Sequence, residues 1–364
     1  MIIKYKNEDF HLDEFLENST RLPEDAYYDL VRQIIISWKS RNENFSLKTS
    51  GSTAEPKLIP FTRQQLILSA NQTIDYFGLK SGDTLFCCLS PTHAAGFMML
   101  IRSLVIGMNL YLIEPSSNPL KDIEAGNKAD FAAFIPLQLI NILEQTPEKI
   151  SFLDTMKAII LGGGIIPSGL LNKIDLIKCP VYETFGMTET LTHFALKRIN
   201  GPHPDKSFRL MPGVEISKDK KDCLVVKSEV TLQREVATND IIHINPDNTF
   251  DWLGRTDQTI NSGGYKIQIE STENAINKIL KNAGIELNSF LFKVEDEKLG
   301  ERIEMMVEKT DKMLMNDKEI KELLKKSLHT YEIPKKIHFT ASFEFTSLGK
   351  IDKRKTISLV KEDF

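Results

Sequence analysis

The polar stretch TSGSTAEPK, at residues 49–57, combines hydroxyl groups with a glycine, a proline and a lysine. Hydroxyl groups, backbone N–H groups and one ammonium suit a loop that wraps a polyphosphate. The GxxxxGK[ST] spacing of a Walker P-loop is absent, so that class is not indicated. The alternative is a flexible polar turn before a helix that begins near Thr62. The residues with binding chemistry are Thr49, Ser50, Gly51, Ser52, Thr53 and Lys57.

Two further segments follow apolar, strand-like runs. LGGGIIP, at residues 161–167, places three glycines where a ligand can approach the backbone closely, although a tight turn without a ligand explains them equally well. YETFGMTET, at residues 182–190, adds an aromatic ring, hydroxyl groups and Glu189. One carboxylate beside polar groups suits Mg²⁺ that is also bound to phosphates. A lone glutamate is more often simply solvated, so Glu189 by itself predicts little.

The last chemical signals lie in the second half of the chain. Asp240, in TND, suits a ribose diol, and Arg255 follows it in GRTDQTI. Lys350, in LGK, stands beside a basic run that in isolation indicates a solvated tail. Each signal is weak when it is considered alone.

Alternating strands and helices must position these segments. Short apolar runs predict strands at 83–89, 109–114, 131–135 and 157–161, and helical patterns lie at 63–77, 94–107, 137–144 and 168–177. This order predicts an α/β fold with a mostly parallel sheet and helices on both of its faces. Residues 214–252 predict a small antiparallel β-subdomain, and the chain after residue 257 predicts a compact α+β domain.

Size and composition limit the class of protein. A chain of 364 residues exceeds the roughly 250–300 residues of a single core, so two domains with a hinge near Asp257 are expected. A net charge of −4 gives no reason to expect nucleic acid or an anionic membrane as the main partner. The spacing of the four cysteines fits neither a metal site nor a disulfide framework. Without a signal peptide or membrane span in the sequence, we predict a cytoplasmic location.

Seven segments in order give a more specific prediction: TSGSTAEPK, PTHAAG, GGG, YETFGMTET, TND, GRTDQTINSGGYKI and LGK. Together they resemble the adenylate-forming superfamily of acyl-CoA synthetases, luciferases and peptide-synthetase adenylation domains, over residues 49–355. The resemblance implies an enzyme that uses ATP, Mg²⁺ and coenzyme A to convert a carboxylic acid into an acyl-adenylate and then a thioester. It also implies an ATP- and acyl-binding domain at 1–256 and a mobile C-terminal domain at 257–364.

The resemblance implies a role for each matching residue. The phosphate loop, with Lys57, would hold the β- and γ-phosphates, and Thr188 would contact the α-phosphate. Glu189 would bind Mg²⁺, and Lys350 would be the catalytic lysine that bridges the acyl carboxylate and the α-phosphate. The residues that would flank the adenine are Gly162, Gly163, Gly164, Tyr182, Glu183, Thr184, Phe185 and Gly186. Asp240 and Arg255 would hold the ribose, and Asp257 would be the hinge. The turn that faces coenzyme A would consist of Ser262, Gly263 and Gly264.

Some residues depart from the superfamily pattern. Ala54 replaces a glycine of the phosphate loop, Asn239 replaces the glycine of TGD, and Gln258 replaces a common aspartate. The Pro-to-His spacing before His93 is one residue short, which weakens the assignment of His93 to the acyl pocket. No departure removes a chemical role.

The position of the phosphate loop at residue 49 predicts that most of a first N-terminal subdomain is missing. This compactness, with residues 91–120 and 182–200, resembles the short o-succinylbenzoate–CoA ligases of menaquinone synthesis. That acid has two carboxylates, so the pocket needs a cation or a strong hydrogen-bond donor, for which His193 and Arg102 are candidates. The structural alternatives are a satisfied core histidine and an arginine on the solvent side of its helix.

Other functions remain open from the sequence. One is a CoA ligase for another aryl or short-chain acid, and a second is an adenylating enzyme that loads a carrier protein. A third, from another class, is a non-catalytic nucleotide-binding protein, although such a protein needs neither Glu189 nor Lys350. The oligomeric state is not readable from the sequence.

Overall fold

The structure is a computed structural model that describes residues 1–17, 25–48, 57–164, 166–285, 287–309, 315–345 and 351–361. Contacts within the chain define two compact units. The first consists of Met1–Ile216, Val226–Val236 and Asp247–Thr249, and the second of Ser217–Val225, Ala237–Pro246 and Phe250–Phe364. The functional division between residues 1–256 and 257–364 stays a prediction.

A large sheet runs through the first unit. Its strands in chain order are β1 (Ile2–Tyr5), β2 (Glu8–His11), β5 (Thr84–Cys87), β6 (Asn109–Leu112), β7 (Phe131–Phe134), β8 (Ala158–Leu161), β9 (Val181–Gly186), β10 (His193–Arg198) and β11 (Phe208–Leu210). A separate hairpin consists of β3 (Asn44–Lys48) and β4 (Leu58–Thr62). The spatial order is β11-β10-β9-β8-β7-β5-β6-β1-β2. All neighbours from β9 to β1 pair in parallel, whereas β2, β10 and β11 are antiparallel additions.

The helices of the first unit cover both faces of this sheet. They are α1 (Leu12–Leu16), α2 (Ala26–Lys39), α3 (Arg63–Phe77), α4 (Ala94–Ile106), α5 (Pro136–Gln145), α6 (Ile150–Asp154) and α7 (Ser168–Lys173). Alternate side chains of β5 enter different cores: Leu85 and Cys87 pack on one face, and Phe86 and Cys88 on the other. The predicted α/β arrangement is therefore confirmed, and α3 has the predicted bounds. All four cysteines are buried free thiols.

The N-terminal residues add elements that the sequence did not predict. Strand β1 pairs in parallel with β6, in the register Ile3↔Leu110, and so extends the sheet. Helix α2 begins at a cap in which the Asp25 carboxylate accepts the N–H of Tyr28 at 2.7 Å. None of the helices in the described part of the chain has the length and apolar character needed to cross a membrane.

The remaining strands belong to the predicted small β-region and to the second unit. They are β12 (Glu215–Lys218), β13 (Cys223–Lys227), β14 (Val236–Ile244), β15 (Thr249–Arg255), β16 (Thr259–Ser262), β17 (Tyr265–Gln268), β18 (Ser289–Asp296), β19 (Gly300–Glu308) and β20 (Ile337–Thr340). The helices of the second unit are α8 (Ile269–Asn282), α9 (Asp317–Leu324) and α10 (Lys353–Lys361). Strands β16–β20 form one sheet in the order β17-β16-β19-β18, with β20 parallel to β19.

A buried charge network stabilises the sheet of the second unit. The Glu304 carboxylate receives hydrogen bonds from Arg302 Nε at 2.9 Å and from His338 Nε2 at 2.7 Å. Burial opposes ionisation of Glu304, but the bonds from His338 and Arg302 outweigh it and hold its pKa below the usual range. Removal of one member leaves buried charge uncompensated, which is far more costly than loss of a surface pair.

We therefore expect Glu304→Ala to lower the free energy of unfolding by about 3–5 kcal/mol. Glu301→Ala, on the same strand, is the matched control because Glu301 pairs with Lys293 near the surface. This control should cost about 0–1 kcal/mol. Urea denaturation of both variants measures the free energy of unfolding. Equal losses in the two variants would show that the buried network stabilises the fold no more than a surface ion pair does.

Candidate active site

Most of the predicted nucleotide residues of the first unit lie at the carboxyl edge of its parallel strands. Gly162–Gly164 directly follow β8, and β9 lies beside β8 in the register Leu161↔Glu183. The Thr184 hydroxyl donates to the carbonyl of Leu161 at 3.2 Å, which ties the two strand ends together. The structure thus brings together the GGG and YETFG segments, at the edge where open α/β sheets bind ligands.

The side chains of β9 divide between the two faces of the sheet. The Tyr182 ring contacts Phe77 of α3, with 5.2 Å between centroids. On the opposite face, Glu183 pairs with Lys197 at 3.3 Å, and Phe185 packs edge-on against Phe208. Because successive side chains alternate, these residues cannot all line one surface. Contact between these residues and adenine stays a prediction. Because the side chains alternate, only those on one face of the sheet can contact the same adenine ring.

A tight turn fixes the segment that carries Glu189. Thr188–Thr190 forms one turn of 3₁₀ helix in which Thr188 is buried and Glu189 is exposed. Leu191 then has φ 64° and ψ −56°, and the N–H of Thr192 donates to the carbonyl of Thr190 at 2.8 Å. This is a γ-turn of the rare positive-φ form, which is strained for a residue with a side chain. Such a conformation costs on the order of 1–3 kcal/mol and persists only where surrounding contacts hold it.

Several contacts hold this turn. The Thr190 hydroxyl donates to the carbonyl of Thr192 at 2.8 Å, and the side chain of Leu191 is fully buried in the core. Gly186 permits the close approach, because a Cβ atom there would collide with the carbonyl of Thr192 and with His193. Neither the turn nor Thr192 was singled out from the sequence. The glycine at 186, followed after one methionine by three polar residues, was the available signal.

Arg102 of α4 lies beneath the turn. Its Nη2 donates to the Thr192 hydroxyl at 3.3 Å and its Nη1 contacts the Met99 sulfur at 3.7 Å. Its buried Nε has no hydrogen-bond partner among the residues that the structure describes. The side chain is fully buried, so its alternative placement on the solvent side of the helix is wrong. Burial lowers the pKa of Arg102 to about 10, which leaves the guanidinium charged at neutral pH. Within the described residues, no aspartate or glutamate pairs with it.

His193 lies in the same buried cluster. Its Nε2 is 3.3 Å from the Thr73 hydroxyl of α3, and Ser69, one turn earlier, lies 3.2 Å from the Thr192 hydroxyl. Burial, and then the positive charge of Arg102, lower the pKa of His193 to about 3. The histidine is therefore neutral at physiological pH. The structure thus brings together both candidates for a second substrate carboxylate, one charged and one neutral.

His93 is separate from this cluster. It caps the start of α4, with Nδ1 2.7 Å from the Thr92 hydroxyl, and burial lowers its pKa. Arg102 follows nine residues later, which corresponds to about 14 Å along a helix axis. The assignment of His93 to the acyl pocket stays a prediction.

The ends of the phosphate loop are fixed by a hairpin. Strands β3 and β4 pair antiparallel from Asn44↔Thr62 to Lys48↔Leu58, which brings the two ends of the loop together. Helix α3 then begins at a capping box between Thr62 and Gln65. Lys57 is described and exposed. The predicted phosphate-loop residues Thr49, Ser50, Gly51, Ser52 and Thr53, and the predicted catalytic Lys350, lie outside the described residues.

The second unit pairs the two predicted ribose ligands. Asp240 of β14 lies opposite Arg255 of β15, and the Asp240 carboxylate is 3.6 Å from the Arg255 guanidinium. Trp252 Nε1 donates to the same carboxylate oxygen at 3.0 Å. This indole was missed from the sequence, although it is one of only two tryptophans and lies on a strand that follows TND. It orients Asp240.

The predicted hinge and coenzyme-side residues follow β15. Asp257 lies within a 3₁₀ turn, Thr256–Gln258, and Ser262 ends β16 as a buried residue. Gly263 and Gly264 join β16 to β17 as a two-residue turn in the register Ser262↔Tyr265. Their φ angles of 59° and 85° are both positive, as a type I′ hairpin turn requires. Turn geometry alone therefore calls for glycine here.

The predicted metal ligand is a single residue, Glu189. Over the ranges that the structure describes, no three His, Cys, Asp or Glu side chains are grouped to hold an ion by themselves. The single exposed carboxylate of Glu189 fits a Mg²⁺ ion that arrives with a nucleotide, because Mg²⁺ keeps water and phosphate oxygens as most of its ligands.

Comparison with known proteins agrees with this geometry. The family of AMP-binding enzymes matches residues 41–221. An acyl-CoA synthetase (AMP-forming)/AMP-acid ligase II-like protein of Dyadobacter fermentans is 33% identical, covers 95% of this chain and 97% of its own, and superposes with a TM-score of 0.62. The o-succinylbenzoate CoA synthetase of Bacillus subtilis, in complex with its acyl-adenylate intermediate, has the same fold at 20% identity, with a TM-score of 0.69 over 85% of this chain and 68% of that one.

Two curated relatives are 2-succinylbenzoate–CoA ligases. That of Bacillus cereus is 26% identical over 89% of this chain and 73% of the relative. That of a Geobacillus species is 24% identical over 80% of this chain and 64% of the relative. The chain thus spans about two thirds to three quarters of these relatives' length. The protein belongs to the family of AMP-binding enzymes, and the predicted class of AMP-forming acid–CoA ligases is confirmed.

The pKa of His193 gives a testable pH dependence. Because its pKa is lowered in the folded state, the unfolded chain takes up a proton first as the pH falls below about 6.5. Its contribution to stability is complete above that pH and is lost as the pH falls towards 3. The native protein should therefore lose its advantage in free energy of unfolding over His193→Gln as the pH falls through this window. The expected loss is up to about 1.4 kcal/mol per pH unit.

Chemical denaturation of native and variant protein at a series of pH values from 7.5 to 4.5 measures this gap. His243→Gln, at an exposed position, is the matched control. A gap for His193→Gln that is independent of pH would contradict the assignment of a neutral buried imidazole.

The bond from Trp252 predicts an effect on ATP binding. Trp252→Phe keeps the ring but removes the donor to Asp240, and hydrogen bonds to charged groups contribute about 1.5–3 kcal/mol. We expect the KM for ATP to rise about tenfold or more, with a smaller change in kcat, in assays of pyrophosphate release. Trp38→Phe, at the other tryptophan, should leave the KM unchanged. An unaltered KM for ATP in Trp252→Phe would show that the hydrogen bond from Trp252 to Asp240 does not contribute to ATP binding.

Proposed function

We propose that the protein converts o-succinylbenzoate into its CoA thioester through an acyl-adenylate, with ATP and Mg²⁺. The two Bacillus and Geobacillus relatives carry the name of this ligase, which supports the choice of acid. The single observation that carries the proposal is the buried guanidinium of Arg102, which has no acidic partner among the described residues and lies under the turn that follows Glu189. The proposed pathway is menaquinone synthesis and the proposed location is the cytoplasm.

A buried arginine of this kind implies an anionic ligand. Buried charges in proteins are paired, because removing a charge from water is costly. A guanidinium binds a carboxylate through two parallel N–H···O bonds, and the Nε–H of Arg102 has no partner in the described part of the chain. o-Succinylbenzoate has one carboxylate that reacts and another, on the ring, that pairs with Arg102. Neutral His193 and the Thr192 hydroxyl offer further hydrogen bonds without adding charge.

The reaction joins two anions, so the residues of the site must hold them against their repulsion. An oxygen of the reacting carboxylate bonds to the α-phosphorus of ATP, and the bond to the β-phosphate oxygen breaks to release pyrophosphate. Mg²⁺ would neutralise charge that accumulates on the phosphate oxygens. Lys350 keeps its predicted role as the cation between carboxylate and α-phosphate, and Asp240 with Arg255 would hold the ribose. The thiol of coenzyme A then attacks the carbonyl carbon and displaces AMP.

The alternatives differ in acid and in acceptor. A ligase for a monocarboxylic acid needs no buried cation, so Arg102 favours a diacid. A carrier-loading enzyme shares the first half-reaction and differs only in the thiol. A non-catalytic nucleotide-binding protein is disfavoured by membership of an enzyme family.

Pyrophosphate release over a panel of acids, followed by mass detection of a CoA thioester, tests the proposal. The panel includes 4-oxo-4-phenylbutanoate, which keeps the succinyl chain and lacks the ring carboxylate. Release without a thioester would favour carrier loading, and no release with any acid would favour the nucleotide-binding protein.

Arg102→Met tests the role of the arginine. Methionine fills similar apolar space, and replacement of a buried charge by an apolar side chain is often neutral or stabilising, so the variant should fold. We expect kcat/KM for o-succinylbenzoate to fall about 10–150-fold, while that for 4-oxo-4-phenylbutanoate stays within about threefold. Arg209→Met, at an exposed arginine paired with Asp205, is the matched control. Equal losses for both acids in Arg102→Met would show that the arginine supports the fold of the turn and does not select the acid.

A further inference from the structure

We propose that Glu270 is a positioning residue for ATP: its buried carboxyl holds the backbone of Arg255 and so fixes the predicted ribose ligands. This inference rests on the proposed function, because it adds a residue to the ATP site of that reaction. Glu270 lies in the first turn of α8 and is only 7% exposed. No role for it was predicted from the sequence.

The Glu270 carboxyl joins α8 to the end of β15. It accepts hydrogen bonds from its own N–H and from the N–H of Arg255. Burial raises the pKa of Glu270, and the charge of Glu273 on the same helix adds to the rise, whereas Lys353 of α10 opposes it. A carboxyl is costly to bury, and the bonds that it makes must offset this cost. The bond to Arg255 is the one that reaches another element.

Gln268 connects the same carboxyl region to the start of β16. Its Nε2 donates to the Thr259 hydroxyl at 2.5 Å, and this hydroxyl donates to the carbonyl of Arg255 at 3.4 Å. Thr259 and Gln268 are also opposite each other in the β16–β17 hairpin. Glu270 and Gln268 therefore hold the chain on both sides of the 3₁₀ turn Thr256–Gln258.

Gly254 allows both side chains to approach β15 closely. A Cβ atom at this position would lie 3.1 Å from Glu270 Oε2 and 3.1 Å from Gln268 Oε1. Both oxygens are buried and have no hydrogen-bond partner among the residues that the structure describes. Buried acceptors without a donor destabilise a fold. Stability alone therefore does not explain a carboxyl at position 270.

The position of Arg255 explains why it needs support. Arg255 is the last residue of β15 and lies opposite Asp240 of β14. Beyond it the chain leaves the strand for the turn that contains the predicted hinge, Asp257. The bond to Glu270 supplies a partner that the strand no longer offers at this end. Trp252 orients Asp240, and Glu270 fixes the backbone of the opposite residue.

The effect of Glu270 should be confined to the ribose hydroxyls. The Asp240 carboxylate lies 3.6 Å from the Arg255 guanidinium, and this pair is predicted to bind the ribose diol. A displaced Arg255 backbone alters this pair and leaves the phosphate and adenine contacts of the first unit unchanged. A nucleotide without ribose hydroxyls should therefore be insensitive to Glu270.

The experiment compares ATP with 2′,3′-dideoxy-ATP. In Glu270→Ala we expect the KM for ATP to rise about tenfold, with a smaller change in kcat, while the KM for the dideoxy nucleotide stays within about threefold. Glu270→Gln keeps an acceptor for the Arg255 N–H and should behave as the native enzyme. Glu322→Ala, at an exposed glutamate of α9 that pairs with Lys325, is the matched control.

Calorimetric titration of the full chain with each nucleotide gives the same comparison without turnover. It needs no acid, so failure of the proposed acid to react is distinguished from failure of this inference. Equal weakening for both nucleotides in Glu270→Ala would show that Glu270 only supports the fold, and unchanged affinity for both would show that it does not act on Arg255. A native protein that binds the two nucleotides equally, or a Glu270→Gln variant as weak as Glu270→Ala, would likewise overturn the inference.

Discussion

The hydrogen bond from Arg102 to Thr192 is the constraint on which the site of the first unit depends. It joins a helix in the core to a strained γ-turn two residues after Glu189. A guanidinium without an acidic partner is costly in a core, and a leucine with positive φ is costly in a turn. Each persists because packing holds it in place: α3 and α4 enclose the arginine, and the buried side chain of Leu191 anchors the turn. The packing that offsets the free-energy cost of the buried guanidinium and of the strained Leu191 backbone thus also fixes the segment that carries Glu189.

The carboxyl edge of the parallel strands supplies the rest of the arrangement. Strands β8 and β9 end side by side, so segments about twenty residues apart in the chain become neighbours. The alternation along β9 then divides its side chains between the core beneath α3 and the opposite face. The strand therefore separates two environments, and Gly186 at its carboxyl end is exposed.

Much of this arrangement was predictable. Continuous apolar runs gave the buried strands, and the helical pattern at 63–77 gave α3 with its observed bounds. Three glycines marked the end of β8 at Gly162, whereas residues 182–190 were expected to follow their strand and the first five of them instead lie within β9. The resemblance to the adenylate-forming superfamily implied that Asp240 and Arg255 serve one site, and in the structure their side chains lie 3.6 Å apart.

Other features depend on contacts between distant residues and leave no local pattern. The burial of Arg102 was missed because an arginine on a helix is usually exposed, and only the three-dimensional cluster with Thr73 and Thr192 reverses that expectation. The γ-turn was missed since leucine is not a residue that favours positive φ.

The short distance in sequence between Glu189 and Thr192 limits how this enzyme can acquire a new acid. A substitution in the turn that alters the surroundings of Arg102 also changes the strained backbone that follows Glu189. Substitutions on the helices, at Ser69 or Thr73, alter the same surroundings of Arg102 and leave the turn intact. With Arg102 as the proposed acid-selecting residue, changes of substrate in evolution or in the laboratory should therefore accumulate on α3 and α4, with the turn inherited unchanged.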